Sequence, residues 1–144
     1  MIRVRFQSEG RATWASTLAG ARLKFADGRL WRDDDARGLA RYQDSTWHVG
    51  SEAFEDVLVE ETVVVHFMRK GGERSGDFGP FRDLCTHDGV VHAAGQVFAC
   101  YSPQRNQWIH QPSGEAWDEL VICANLLRKR VESAAPIVRP ALGG

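Results

Sequence analysis

The ten residues Arg22-Leu23-Lys24-Phe25-Ala26-Asp27-Gly28-Arg29-Leu30-Trp31 decide how this chain is read. Leu23 and Phe25 alternate with polar neighbours, and Leu30 follows on the far side of Asp27-Gly28. Alternation on both sides of a turn dipeptide predicts a hairpin with one apolar face. The stretch from Leu84 to His92 repeats the pattern around Asp88-Gly89.

Working outward, more anchors recur in the same order. Phe6 returns as Phe67, Gly10 as Gly71 and Trp47 as Trp108, each pair 61 residues apart like the two Asp-Gly turns. Ala40-Arg41-Tyr42 matches Ala99-Cys100-Tyr101 at an offset of 59, and Glu52-Ala53-Phe54-Glu55-Asp56 matches Glu115-Ala116-Trp117-Asp118-Glu119 at 63. The drift of two residues falls in polar stretches, where changes in loop length cost little. The series predicts a duplication, with a first β-rich unit over residues 1–60 and a second over 61–132.

Each unit reads as mostly strand. Ile2 to Phe6 and Thr62 to Phe67 are opening strands rich in β-branched residues. Leu39 to Tyr42 with Thr46 to Val49 predicts a second hairpin, echoed by Val97 to Tyr101 with Gln107 to His110. Ala12 to Ala21 has helical character, with Trp14 and Leu18 at i, i+4. Its counterpart, Gly71 to Pro80, is glycine-rich and reads as loop. Glu115 to Glu132 fits a helix through Leu120, Cys123, Leu126 and Leu127, but Leu120-Val121-Ile122 fits a strand equally well. The fold class expected is α+β and strand-rich.

From Ser133 the composition changes. Pro136 and Pro140 exclude a stable helix and favour an extended segment over residues 133–144, ending in Gly143-Gly144. Twelve extended residues reach at most about 40 Å. A diglycine carries no Cβ, so such an end can enter a channel that any side chain would block.

The totals exclude several classes. At 144 residues, 43% hydrophobic and with formal net charge −1, the chain suits a soluble globular protein and carries no global basic field for nucleic acid. No run of eighteen apolar residues predicts a membrane span, and the N-terminus is no signal peptide. Three cysteines, Cys85, Cys100 and Cys123, form no disulfide framework and suit a reducing cytoplasm.

Two small β-rich units, an extended tail and a terminal diglycine together resemble a tandem ubiquitin-like modifier, of the kind carried by bacterial Bil-type antiphage conjugation operons. Arg22-Leu23-Lys24-Phe25-Ala26 with Leu30, and Ser45-Thr46-Trp47-His48-Val49, lie at spacings similar to two segments of ubiquitin. The resemblance implies two tandem β-grasp-like units and no catalytic residue in this chain. It implies that an ATP-dependent activating enzyme adenylates the Gly144 carboxylate and takes it as a thioester. A conjugating enzyme would then deliver Gly144 to target-protein lysines, and a deconjugating protease would reverse the isopeptide bond. Gly143 and Gly144 would be the conjugation residues, with Leu142, Arg139 and Ile137 read as an extended strand. No cofactor, metal, nucleic acid or membrane belongs to that scheme, whose expected setting is cytoplasmic antiviral defence.

Other constellations compete. Cys85, His87, His92, Cys100 and His110 supply enough ligands for a structural zinc ion. Cys85-Thr86-His87 also resembles the first half of a Rieske site, but Pro103 stands where the second half needs histidine. The first unit has Lys24, Trp31 and Arg41 where the second has Cys85, His92 and Cys100, which weakens the zinc reading. Trp47 and Trp108 recur at equivalent positions and read as core rather than as a binding face. Asp33-Asp34-Asp35 lacks the glycine and distal glutamate of a calcium loop and reads as a solvated turn. The alternative to a modifier is a non-enzymatic, duplicated β-rich binding or adaptor module, phage- or defence-related, whose terminal glycines are incidental.

Overall fold

The computed structural model describes residues 1–125. The first half folds into β1 (Arg3–Ser8), β2 (Arg11–Ser16), β3 (Leu23–Ala26), β4 (Arg29–Arg32), β5 (Asp35–Gln43), β6 (Thr46–Val49), β7 (Glu52–Phe54) and β8 (Asp56–Val59). The second folds into β9 (Val63–Met68), β10 (Phe78–Phe81), β11 (Cys85–His87), β12 (Val90–Ala93), β13 (Gln96–Ser102), β14 (Gln107–His110), β15 (Ala116–Trp117) and β16 (Glu119–Ala124).

No helix occurs among the described residues, which corrects the α+β expectation and with it the two tandem β-grasp-like units. A β-grasp needs a helix after its first hairpin. Here Arg11–Ser16 instead turns back at Glu9-Gly10 and pairs with β1 along its whole length, from Ser8↔Arg11 to Arg3↔Ser16. Gly10, the second turn residue, takes φ +74°, a left-handed geometry that glycine adopts without steric cost. Leu120, read equally as helix or strand, lies in β16, which is paired on both sides by β9 and β3. Phe78–Phe81, expected as loop, forms β10 on the edge beside β9.

The strands form two antiparallel eight-stranded sheets, in the orders β15-β14-β13-β12-β11-β8-β1-β2 and β10-β9-β16-β3-β4-β5-β6-β7. Each sheet takes five consecutive strands from one half of the chain and three from the other. The pairing of β9–β16 repeats that of β1–β8 strand for strand, so the halves interlock about a pseudo-twofold relation. Tyr42 and Tyr101 meet edge to face near its centre, 5.8 Å between ring centroids. The Tyr101 hydroxyl stands 3.4 Å from where a Cβ on Gly28 would lie, and the Tyr42 hydroxyl 3.1 Å from the same point on Gly89. Each tyrosine therefore covers the Asp-Gly turn of the other half.

Between the sheets lies one apolar core. Phe25 of one sheet contacts Trp108 of the other at 5.1 Å, and Phe67 stacks near Phe98 and Trp117 at 5.6 and 6.0 Å. Trp47 and Trp108 are 1% and 2% exposed, as a core role requires. Burying aromatics of this size from both sheets holds the layers face to face. No helix in the described residues is long and apolar enough to cross a membrane.

Candidate functional site

The conjugation residues Gly143 and Gly144, and the tail residues Leu142, Arg139 and Ile137, lie outside the described residues. By the pseudo-twofold relation, positions on one outer face have equivalents on the other wherever strand lengths agree, and the pairing register shows which residues correspond.

In the second half, His87 faces Val90, Val90 faces Cys100, Cys100 faces Ile109, and Ile109 faces Ala116. Cys85 lies directly opposite His92 on the same outer face. His110 belongs to the inner face, where it is 7% exposed and packed between Phe78 and Phe98 at 4.6 and 5.2 Å. The sheet thus separates His110 from the other four members of the zinc set. Among the described residues no three His, Cys, Asp or Glu side chains are grouped to hold a metal ion. His87 hydrogen-bonds Asp56, which raises its pKa, while burial pushes the Cys85 thiol up, away from the reactive thiolate.

In the first half the equivalent row has the opposite chemistry. Arg29 lies directly opposite Arg41, Arg41 opposite His48, and His48 opposite Ala53. Facing residues share one side of the sheet, their Cβ atoms about 5 Å apart, and like charges so placed repel. Neither Arg29 nor Arg41 has a carboxylate within salt-bridge distance among the described residues; Arg29 instead lies over the Trp31 ring at 5.5 Å. His48 is fixed by its Nε2, 3.1 Å from the Thr46 hydroxyl.

Beside this row the sheet is interrupted. Leu30 pairs with Ala40 and Arg32 with Asp35, so one residue of β4 faces four of β5. At the equivalent place Val91 pairs with Ala99 and His92 with Val97, leaving a single extra residue. Arg32↔Asp35 and Ala93↔Gln96 still correspond at an offset of 61, whereas Ala40 and Ala99 correspond at 59. The two additional residues of the first half therefore fall between Asp35 and Ala40. They form a wide bulge, with Gly38 at φ +80° laid against the Trp31 ring.

The bulge walls an open groove of about 300 Å³ bordered by Arg29, Arg37, Arg41, His48 and Gly50. Arg37 reaches back to Asp35 through its guanidinium and its backbone N–H, and Arg32 also donates to Asp35 at 2.8 Å. These bonds, Arg37's foremost, hold the Asp35 carboxyl well below the usual carboxylate range. The carboxylate that Arg37 engages is thus occupied, and among the described residues Arg29 and Arg41 have no salt-bridge partner. Chemically, such an arrangement can accommodate an anion.

Sequence reading missed this site because Arg29, Arg41 and His48 have no motif spacing. The mismatch with Val90, Cys100 and Ile109, together with the two-residue drift, was the available signal. Comparison with family models, with curated proteins and with solved structures finds no match.

Proposed function

We propose that the protein is a non-catalytic binding module whose working surface is the cationic groove on the outer face of the β3–β7 sheet. The observation that carries this reading is the Arg29–Arg41 pair. The fold is satisfied at the same two positions of the other half by Val90 and Cys100, so it does not require facing arginines. A frustrated pair that the architecture does not need, set beside a bulge the other half lacks, marks a functional site. An anionic partner entering the groove relieves the repulsion.

The test exchanges the chemistry of one half for that of the other. The Arg29→Val, Arg41→Cys, His48→Ile variant should keep its fold, since each residue already occupies the equivalent position. Retention on an immobilised sulfated polysaccharide, eluted with salt, should be clear for the natural chain and lost for the variant. Equal retention of both proteins, with folding verified by circular dichroism, would sink the reading.

The modifier reading is a separate proposal. It no longer has the β-grasp body that the sequence suggested, and its reactive end lies outside the described residues. Its own test is thioester formation with a cognate activating enzyme and ATP, which deletion of Gly143 and Gly144 would abolish. The same deletion should leave polyanion retention unchanged.

A further inference from the structure

Resting on the groove reading, we infer that the ligand is a phosphate monoester, its phosphate clamped between Arg29 and Arg41. Three observations choose this anion over others.

The first is stoichiometry of charge. Two arginines facing each other in the sheet register and lining one groove, without carboxylate partners among the described residues, are matched by a group near charge −2, and a phosphomonoester carries about −1.5 to −2 at neutral pH. A carboxylate carries only −1.

The second is geometry. Each guanidinium is a planar fork that engages two oxygens at once. A carboxylate has only two oxygens, both engaged by a single fork, so a second arginine must share oxygens already bonded. A phosphomonoester presents three terminal oxygens, so it can bridge both arginines and still accept from a neighbour. Arg41 is directly opposite both Arg29 and His48, which makes it the central member of the row.

The third is space. The groove, about 300 Å³, is roughly ten times the share of one water in the liquid, more than a bare phosphate fills. The surplus lies along the bulge at Gly38 and Leu39, where the backbone follows a path the other half does not have. That room suits an organic group carried on the phosphate, with the Trp31 ring flooring the bulge beneath Gly38.

The experiment is calorimetric titration of the full chain, at fixed ionic strength, with inorganic phosphate, glycerol phosphate and acetate. Both phosphates should bind at one site with a dissociation constant near about 1 mM or tighter, the ester at least as well as the ion, and acetate at least about tenfold more weakly. Arg29→Val and Arg41→Ala should each weaken phosphate binding about fivefold or more. Arg41→Lys keeps the charge but removes the fork, and should also weaken binding; it carries the test if Arg41→Ala fails to fold. Arg105→Ala, a cation outside the groove, should change nothing.

Acetate binding as well as phosphate, or Arg41→Lys binding like the natural chain, would overturn the clamp. Binding of inorganic phosphate with exclusion of glycerol phosphate would overturn the ester. If both phosphates fail while the polysaccharide is still retained through Arg29 and Arg41, the phosphate inference falls and the groove reading stands. If the polysaccharide also fails, both fall.

Discussion

At the residue scale, Trp47 and Trp108 show how much the sequence disclosed. Their equivalence was visible from the repeat, and equivalence across a duplicated fold argued for the core, where both are found. Hidden from the sequence was that both indole N–H groups are buried without an acceptor among the described residues. Each lies near its own tyrosine instead, Tyr42 with Trp47 and Tyr101 with Trp108, both at 5.0 Å between rings. Trp47→Ala should therefore cost about 3–5 kcal/mol through the cavity it leaves. Trp47→Phe should cost clearly less, because it keeps most of the ring volume while shedding the unsatisfied donor. Urea denaturation of the two variants checks the order, and a phenylalanine variant as unstable as the alanine one would contradict it.

The element scale is where reading the sequence failed, for a physical reason. Hairpins such as β3–β4 and β11–β12 announce themselves because turn and pairing partner are local. β16 does not, since its partners β9 and β3 lie far away in the chain and a pattern of Leu120, Val121, Ile122 and Cys123 suits helix and strand alike. The groove was invisible for the same reason, because only sheet register brings Arg29 beside Arg41. The two Asp-Gly turns, legible from the start, give a graded prediction. Gly28 and Gly89 take φ +67° and +74°, so alanine is strained at either, by about 1 kcal/mol or more. The Cβ on Gly89 would also press on the Tyr42 hydroxyl at 3.1 Å, against 3.4 Å to the Tyr101 hydroxyl for Gly28. Gly89→Ala should lower the thermal midpoint more than Gly28→Ala, and the reverse order would count against the interlocked tyrosines.

For the whole molecule, two buried histidines set the response to acid. Burial holds both His66 and His110 below the ordinary histidine pKa. For His66, the neighbouring Arg74 and Arg22 also disfavour the charged ring, while Asp77 opposes them; for His110, Glu115 opposes the shift. The unfolded chain takes up these protons first, so stability is intact above about pH 6.5 and is lost as pH falls below it. His87 acts in the opposite sense. Its pKa is raised by Asp56, so its contribution is present at acid pH and fades as pH rises through the raised value, and its exposure keeps that contribution small. The net expectation is a thermal midpoint that drops between pH 7 and pH 5.5, with a shallower drop in the His66→Gln, His110→Gln double variant. An unchanged slope would remove these histidines from the account.

The same interlocked architecture presents two equivalent outer rows, one of Arg29, Arg41 and His48, the other of Val90, Cys100 and Ile109. The central claim is that only the first is a binding surface, and amide chemical-shift mapping of the full chain against a sulfated polysaccharide tests it most directly. Perturbations should cluster at residues 29, 37–41 and 48–50 and weaken with salt. Perturbations centred on residues 85–100, or none at all, would contradict it.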